Sequence, residues 1–265
     1  MNSTFESDLE LAKMLADVAD SISLPRFIAQ DFSVETKPDS TPVTEADRSV
    51  ENAIKELLKE KRPNDSIIGE EYGSSGENLH GQGSRTWIID PIDGTANFMR
   101  GVPVWATLIA LAVDGKPVVS VVSAPAMGRR WWAAPGFGAE TKQIDGRITK
   151  LSVSKISELE DASMSYVSLK LWDEIGQLDN LMNLSRKVWR TRAFGDFWSY
   201  MLLAEGAIDI TCEHGLQIYD IAALVPIVEL AGGKITDFVG ELTPESSHVL
   251  ATNGPLHDEV RAYFN

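Results

Sequence analysis

Residues 86–98 constrain this chain more than any other stretch. Thr86-Trp87-Ile88-Ile89 is an unbroken run that reads as a buried strand. It delivers a carboxylate, Asp90, at its end, and Pro91 is predicted to stop the strand there, since proline has no N–H to give the ladder. Asp93 follows three residues later, so both carboxylates can point into one space. Gly94-Thr95 then open a short helix, whose first N–H groups have no partner of their own and suit an anion such as phosphate. Two clustered carboxylates beside such a cradle suggest hard divalent cations with oxygen ligands. Taken alone, the run also describes a surface turn with helix-capping aspartates.

The rest of the chain supplies scaffolding. Leu9, Leu11, Ala12, Leu15, Ala16, Val18, Ala19 and Ile22 recur at helical spacing, in a helix predicted to end or bend at Pro25. Residues 36–42 read as a turn-rich loop. Thr44 then has the character of an N-cap, with Asp47 in the capping-box position. Ala46, Val50, Ala53, Ile54, Leu57 and Leu58 carry that helix to Pro63. Residues 66–69 form a short strand running into Glu70-Glu71, and 72–85 a polar, glycine-rich mobile loop. Residues 105–113 and 117–123 are β-rich and joined by a hairpin signal, Asp114-Gly115-Lys116, and 130–134 continue the meander. Beyond Val153, helices over 193–204 and 221–230 alternate with strands over 207–212 and 248–252. The expected class is α+β, with two layered lobes, 1–150 and 151–265, around one site.

Four further carboxylates sit at element boundaries. Glu70 and Glu71 follow a strand, Asp220 begins a helix, and Asp47 lies in a first turn. Each has an ordinary explanation as a solvated turn or a helix cap. Their common position at element ends is also what a metal site assembled from distant parts of a chain looks like.

The charge bears on partners. Lys and Arg number 24 against 39 Asp and Glu, for a net −15. Nucleic-acid backbone and anionic membrane surfaces would be repelled. A phosphorylated substrate would be repelled too, unless bound cations reverse the field locally. Cys212 is the one cysteine, so no intrachain disulfide forms and a reducing compartment fits. The first residues lack the basic and apolar regions of a signal peptide, and the longest apolar stretch, 102–113, is too short for a bilayer. The expectation is a soluble cytoplasmic protein.

Ile68-Gly69-Glu70-Glu71, the run from Asp90 to Phe98, and Tyr219-Asp220-Ile221-Ala222-Ala223 with Ala231-Gly232-Gly233 together resemble the signature set of the inositol monophosphatase family. Lys37, Thr41 and Thr44-Glu45-Ala46-Asp47 extend the resemblance over essentially the whole chain. One departure is Tyr219, where the family usually has Trp. The resemblance implies a layered αβαβα sandwich of the inositol monophosphatase and fructose-bisphosphatase type. It also implies an Mg²⁺-dependent, lithium-sensitive phosphomonoesterase with two to three ions per site, and a homodimer. Residues around Trp131 and Trp172 are candidates for the dimer contact.

Carried over by position, Glu70, Asp90 and the carbonyl of Ile92 would hold one Mg²⁺, and Asp90, Asp93 and Asp220 a second. A weaker third ion would lie near Glu70. Gly94 and Thr95 would bind phosphate through backbone N–H, and Thr95 with Asp47 would orient and deprotonate the attacking water. Cys212, His80, His214, His248 and His257 show neither triad nor zinc spacing and read as structural or exposed.

Three segments, 189–200, 101–111 and 123–132, resemble the bacterial histidinol-phosphate phosphatases of this family. The implied substrate is histidinol phosphate, with inositol monophosphate and a non-catalytic phosphoester-binding role as alternatives. Arg192, Asp196, Glu213 and Asp220 fall by resemblance at the substrate's end of the site. Asp196 and Glu213 would pair with a cation. For Asp196 the plainer role is an N-cap of the helix that follows it, and for Trp198 it is core packing. Glu213 suits a polyol hydroxyl equally well.

Overall fold

The computed structural model describes residues 5–36, 42–76 and 83–264. The first half comprises α1 (Glu6–Ala29), β1 (Val34–Thr36), β2 (Pro42–Thr44), α2 (Glu45–Lys61), β3 (Ser66–Gly69), β4 (Gly73–Ser75), β5 (Arg85–Asp93), α3 (Thr95–Met99), β6 (Ala106–Val113), β7 (Lys116–Ala124), β8 (Arg129–Ala134), β9 (Gly138–Lys142) and β10 (Ile148–Lys150). The second comprises β11 (Ser163–Tyr166), α4 (Leu169–Glu174), α5 (Leu178–Ser185), β12 (Arg190–Arg192), α6 (Asp196–Ala204), β13 (Ile210–His214), α7 (Ile218–Ile221), α8 (Leu224–Leu230), β14 (Lys234–Thr236), β15 (His248–Thr252) and α9 (His257–Arg261). One sheet has the order β10-β9-β8-β7-β6-β5-β3-β4, and the other β12-β11-β13-β15-β14.

Side-chain alternation builds the layers. In β5, Trp87 and Ile89 join Ile109, Leu111, Val119 and Val121 on the face covered by α1 and α2, through Leu15, Ala19, Val50 and Ile54. Ile88, with Leu108, Ala110 and Val122, points the other way, onto Tyr200 and Met201 of α6 and Leu224 and Ile227 of α8. Val249 and Ala251 of β15 meet these helices from beyond. Leu250, with Ile210 and Cys212 of β13, faces Trp172, Leu181, Leu184 and Val260 of α4, α5 and α9. The outcome is the αβαβα sandwich that the resemblance implies. Among the described residues, no helix is long and apolar enough to cross a membrane.

Several local expectations need correction. α1 runs through Pro25 to Ala29 and ends on Gln30 in the left-handed region. Proline removes one backbone donor from the helix. The last turn is held instead by tertiary contacts of Phe27 with Trp105 and Phe98, and by the pairing of Arg26 with Glu45. Likewise β5 passes through Pro91 to Asp93, with a register shift between Asp90 and Asp93 that suits a residue without N–H. The Thr107 hydroxyl donates to the Pro91 carbonyl across it.

The loop expected over 72–85 contains the short strand β4, and its residues 77–82 lie outside the described residues, as do Lys37, Thr41 and His80. The helix expected from 193 starts at Asp196, because Gly195 and Asp196 both have positive φ (80° and 49°). The helix expected over 221–230 is two, α7 and α8, and the strand expected over 207–212 is 210–214. The Asp114-Gly115 hairpin forms as predicted, both residues having positive φ. Trp131 and Trp172 are fully buried, so neither is available to a dimer contact.

Segment 123–132 turns out to be a set of struts. The Arg130 guanidinium reaches Asp17 at 2.7 Å and Asp20 at 2.6 Å on α1, and donates to the Ser123 hydroxyl at 3.0 Å. Arg129 pairs with Glu205, which also accepts the Trp131 indole N–H. Replacing Arg130 by Met would leave the half-buried Asp20 carboxylate with only the Ser123 hydroxyl. A loss of about 2 kcal/mol is expected, below the fully buried range because both groups keep some water. Thermal melts should show a lower Tm for Arg130→Met and partial recovery when Asp20→Asn is added. Equal melting of wild type and Arg130→Met would contradict the strut.

Candidate active site

The site forms where β5, α3, α6 and α7 meet. Its floor is aromatic. Phe98 packs on Trp105 at 4.9 Å and on Phe32 at 5.0 Å, with Ile92 and Ala46 in the same cluster. This fixes the start of α3 against the N-terminus of α2. Gly94 enters α3 with φ of 84°, and a Cβ there would lie 3.0 Å from the Val104 carbonyl and 3.3 Å from the Asp196 carboxylate. Both the conformation and the clearance require glycine.

Asp90, Asp93 and Asp220 offer carboxylate oxygens that lie within 4.8 Å of one another. Each is steadied by one backbone donor. Ile92 N–H donates to Asp90 Oδ1 at 2.9 Å, Phe197 N–H to Asp93 Oδ2 at 2.8 Å, and Gln217 N–H to Asp220 Oδ2 at 2.6 Å. Asp93 thereby holds the first turn of α6, and Asp220 closes the capping box of α7. Burial, then the charge of Glu70, Asp93 and Asp220, pushes the Asp90 carboxyl well above its usual range. Burial, then the neighbouring Asp196 and Asp220, does the same to Asp93. Asp220 is pushed to about 7, by burial first and Glu70 next, against the Gln217 N–H. Three acids this close, with no Lys or Arg paired to them among the described residues, fit a divalent cation with oxygen ligands.

Glu70 follows β3, and its N–H donates to the Ile89 carbonyl of β5 at 3.2 Å, which sets it beside Asp90. Asp47 lies fully buried in the first turn of α2, its Oδ2 held by the Thr44 N–H and hydroxyl. The capping box therefore exists as predicted. The Thr95 hydroxyl lies 3.3 Å from Asp47 Oδ1 and 3.0 Å from the Ile92 carbonyl. Burial, opposed by the two Thr44 bonds and reinforced by Glu70 and Glu71, brings Asp47 up to about 6.

Beside the three aspartates opens a cavity of about 200 Å³, lined by Asp93, Asp196, Tyr200, Glu213 and Asp220 with Val167, Phe197, Leu216 and Leu224. Asp196 does not cap α6. Its Oδ2 accepts from Asn97 Nδ2 at 2.8 Å, while the donor at the start of α6 is taken by Asp93. Burial raises its carboxyl to about 6. Glu213 is buried and accepts from the Tyr200 hydroxyl at 3.2 Å through Oε2, and its Oε1 is buried without a hydrogen-bond partner. Trp198 is partly buried against the core and does not line the cavity.

Arg192 is not brought to the site. It ends the edge strand β12, is exposed, and donates to the Thr191 carbonyl. Cys212 is buried, His257 lies between the Thr236 and Thr252 hydroxyls, and the His214 and His248 rings pair through Nδ1 at 3.0 Å. Asn97, Tyr200 and Glu51 are polar groups at the site that motif positions do not assign. Asn97 and Tyr200 lie inside the segments that carry the resemblance, without a role assigned there, and Glu51 shows as a charged residue one helical turn after Asp47 on a face otherwise apolar.

This fold and acid cluster define a metal-dependent phosphoric monoester hydrolase: the chain belongs to the inositol monophosphatase family, whose model matches residues 4–264. Within it, the chain is 52% identical over 262 residues to the histidinol-phosphatase of Streptomyces coelicolor, covering 97% of each chain. It is 50% identical over 258 residues to the histidinol-phosphatase of Mycobacterium tuberculosis, covering 97% of this chain and 98% of that one. The solved structure of an inositol monophosphatase from Zymomonas mobilis superposes with a TM-score of 0.83 at 33% identity, over 99% of each chain.

The crowded acids predict a pH signature. With folded-state values near 7 for Asp220 and near 6 for Asp47 and Asp196, the folded chain holds protons that the unfolded chain has released by about pH 4. That stabilisation is fully present below about pH 4 and is lost progressively as pH rises from there through 6 to 7, above which both states are ionised. His257, pushed down to about 4 chiefly by burial, acts in the opposite sense, so the measurement is a difference. In chelator, Asp220→Asn should melt progressively higher than wild type as pH rises across this window, and excess Mg²⁺ should close the gap. A gap that does not change with pH would contradict the repulsion.

Proposed function

We propose that this enzyme hydrolyses L-histidinol phosphate to L-histidinol and phosphate. The observation that carries the reading is the sign of the cavity. Among the described residues, four carboxylates and no basic side chain line it, and two of them, Asp196 and Glu213, lie outside the cluster of Asp90, Asp93 and Asp220. A neutral polyol does not need two further carboxylates crowded beside the acid cluster, whereas an ammonium and an imidazole can pair with both and favour their ionised forms. The similarity to two histidinol-phosphatases at 50–52% identity supports the same substrate.

In this reading Glu70, Asp90 and the Ile92 carbonyl would hold one Mg²⁺, and Asp90, Asp93 and Asp220 another, with a weaker third near Glu70. Bound Mg²⁺ supplies the positive field for the phosphoryl oxygens and acidifies the attacking water. The chain's own groups do the rest. Gly94 and Thr95 present N–H groups at the start of α3 to the phosphate. Thr95 orients the water, and Asp47, dry and raised to about 6, receives its proton through the Thr95 hydroxyl. Tyr200 fixes Glu213, and Asn97 fixes Asp196, for contact with the alcohol half of the substrate.

Asp196→Asn tests the substrate. Asparagine tolerates the left-handed backbone at this position and can still accept from Asn97. Only the charge is lost, and a desolvated charge-assisted hydrogen bond contributes about 1.5–3 kcal/mol. kcat/KM for histidinol phosphate should fall roughly 10–100-fold, with far smaller effects on inositol and glycerol phosphates. A uniform loss would reject Asp196 as selector, and a wild-type preference for inositol phosphate would reject the substrate. A homodimer belongs to the same proposal, and light scattering at twice the 29.1 kDa chain mass is its check. A stable monomer at micromolar concentration would remove it.

A further inference from the structure

We propose that Glu51 is a positioning residue that sets the affinity of the site for its divalent cation, acting through the turn that carries Glu70. The proposal rests on the reading of Glu70 as a metal ligand. Glu51 stands on α2 one turn beyond Asp47, with no exposed surface. Its carboxylate is wrapped by the backbone around Glu70. Oε2 accepts the Glu71 N–H at 2.7 Å and Oε1 the Tyr72 N–H at 3.2 Å. On the near side, Gly69 leaves the space that this carboxylate fills: a Cβ on Gly69 would lie 2.0 Å from Oε1. The Glu70 N–H itself is tied to the Ile89 carbonyl. The turn is thus gripped from β5 on one side and from α2 on the other, and Glu70 has little freedom left in where it emerges.

A buried carboxylate is an expensive way to fill space, above all in a region already crowded with negative charge. Lys55, 3.9 Å from Oε1 and seated over the Tyr72 ring at 4.9 Å, offsets part of that charge. What a carboxylate offers that no neutral side chain of its length does is two acceptor oxygens and no donor. It can therefore hold two adjacent N–H groups at once and lock the turn. A glutamine in its place would satisfy one N–H and set an NH₂ against the other. One helix would then position both sides of the reacting centre, with Asp47 beside Thr95 and Glu51 behind Glu70.

The test is Mg²⁺ binding by calorimetry, together with Mg²⁺-dependence of turnover, in Glu51→Gln, Gly69→Ala and Glu70→Gln. Groups that orient metal ligands typically change metal affinity by 10–100-fold, so Glu51→Gln should weaken Mg²⁺ binding by about 10-fold or more. The Mg²⁺ concentration for half-maximal activity should rise in the same ratio, while kcat at saturating Mg²⁺ stays within about twofold. Gly69→Ala keeps the glutamate but pushes it from the turn. It should produce the same loss, and the double variant should lose no more than the worse single one. If Glu51→Gln fails to fold, Gly69→Ala decides the matter. Unchanged Mg²⁺ affinity in these variants, or a fall in kcat at saturating Mg²⁺ with affinity intact, would overturn the proposal. Glu70→Gln separates the two levels. If it leaves Mg²⁺ affinity unchanged, Glu70 is not a ligand and the underlying reading fails. If it weakens binding while Glu51→Gln and Gly69→Ala do not, only the role of Glu51 fails.

Discussion

Mutual repulsion among buried carboxylates is the constraint on which this structure turns. Asp90, Asp93 and Asp220 come from two parts of the chain far apart in sequence and are pressed within 4.8 Å of one another. Nothing about hydrophobic burial favours that arrangement. What holds it is a set of backbone donors, one to each acid, from Ile92, Phe197 and Gln217. The fold thus stores an unfavourable charge density that a cation relieves, as sites of pre-organised electrostatics require. The same arrangement reconciles a chain of net charge −15 with an anionic ester, because a cation gathered by the acids would reverse the local field.

The acid groups serve twice. Asp93 belongs to the carboxylate cluster and also takes the first free donor of α6, so it joins the end of β5 to the helix that carries Asp196 and Tyr200. Asn97 makes a second tie, from α3 to Asp196 and to the Val104 carbonyl. The end that would grip phosphate and the end that would grip the alcohol are therefore joined by short hydrogen bonds. A shift at one is felt at the other.

Much of this was legible in residue order. The buried strand before Asp90, the Thr44 capping box, the Asp114-Gly115 hairpin and the alternation within β5 and β6 are local, and local patterns show in sequence. The misread points are those where tertiary contacts override a local rule. Pro25 and Pro91 break neither element, because the aromatic cluster holds the end of α1 and a bulge absorbs the missing donor in β5. Asp196 looks like a cap, yet the cap comes from Asp93, 103 positions earlier in the numbering and invisible to any local pattern. Arg192 illustrates the converse. Its segment reaches the site, but its own place on an edge strand turns it to solvent. The aromatic and arginine segment 123–132, which resembles that of the histidinol-phosphate phosphatases, ties α1 and α6 to β8, a role no local pattern displays.

The middle helical layer has a consequence for how the molecule holds together. α6 and α8 carry apolar residues that meet Leu108 and Val122 of the eight-stranded sheet and Val249 and Ala251 of the five-stranded one, within one continuous core. Helices sandwiched in this way bury most of their surface against one sheet or the other. A fragment ending near residue 150 would expose a whole sheet face, and the complementary fragment would expose the helices that covered it. Each half therefore buries its apolar face against the other. The layer joins the two sheets through one core, and the candidate site lies at the seam between them, with acids from β5 on one side and from α6, β13 and α7 on the other.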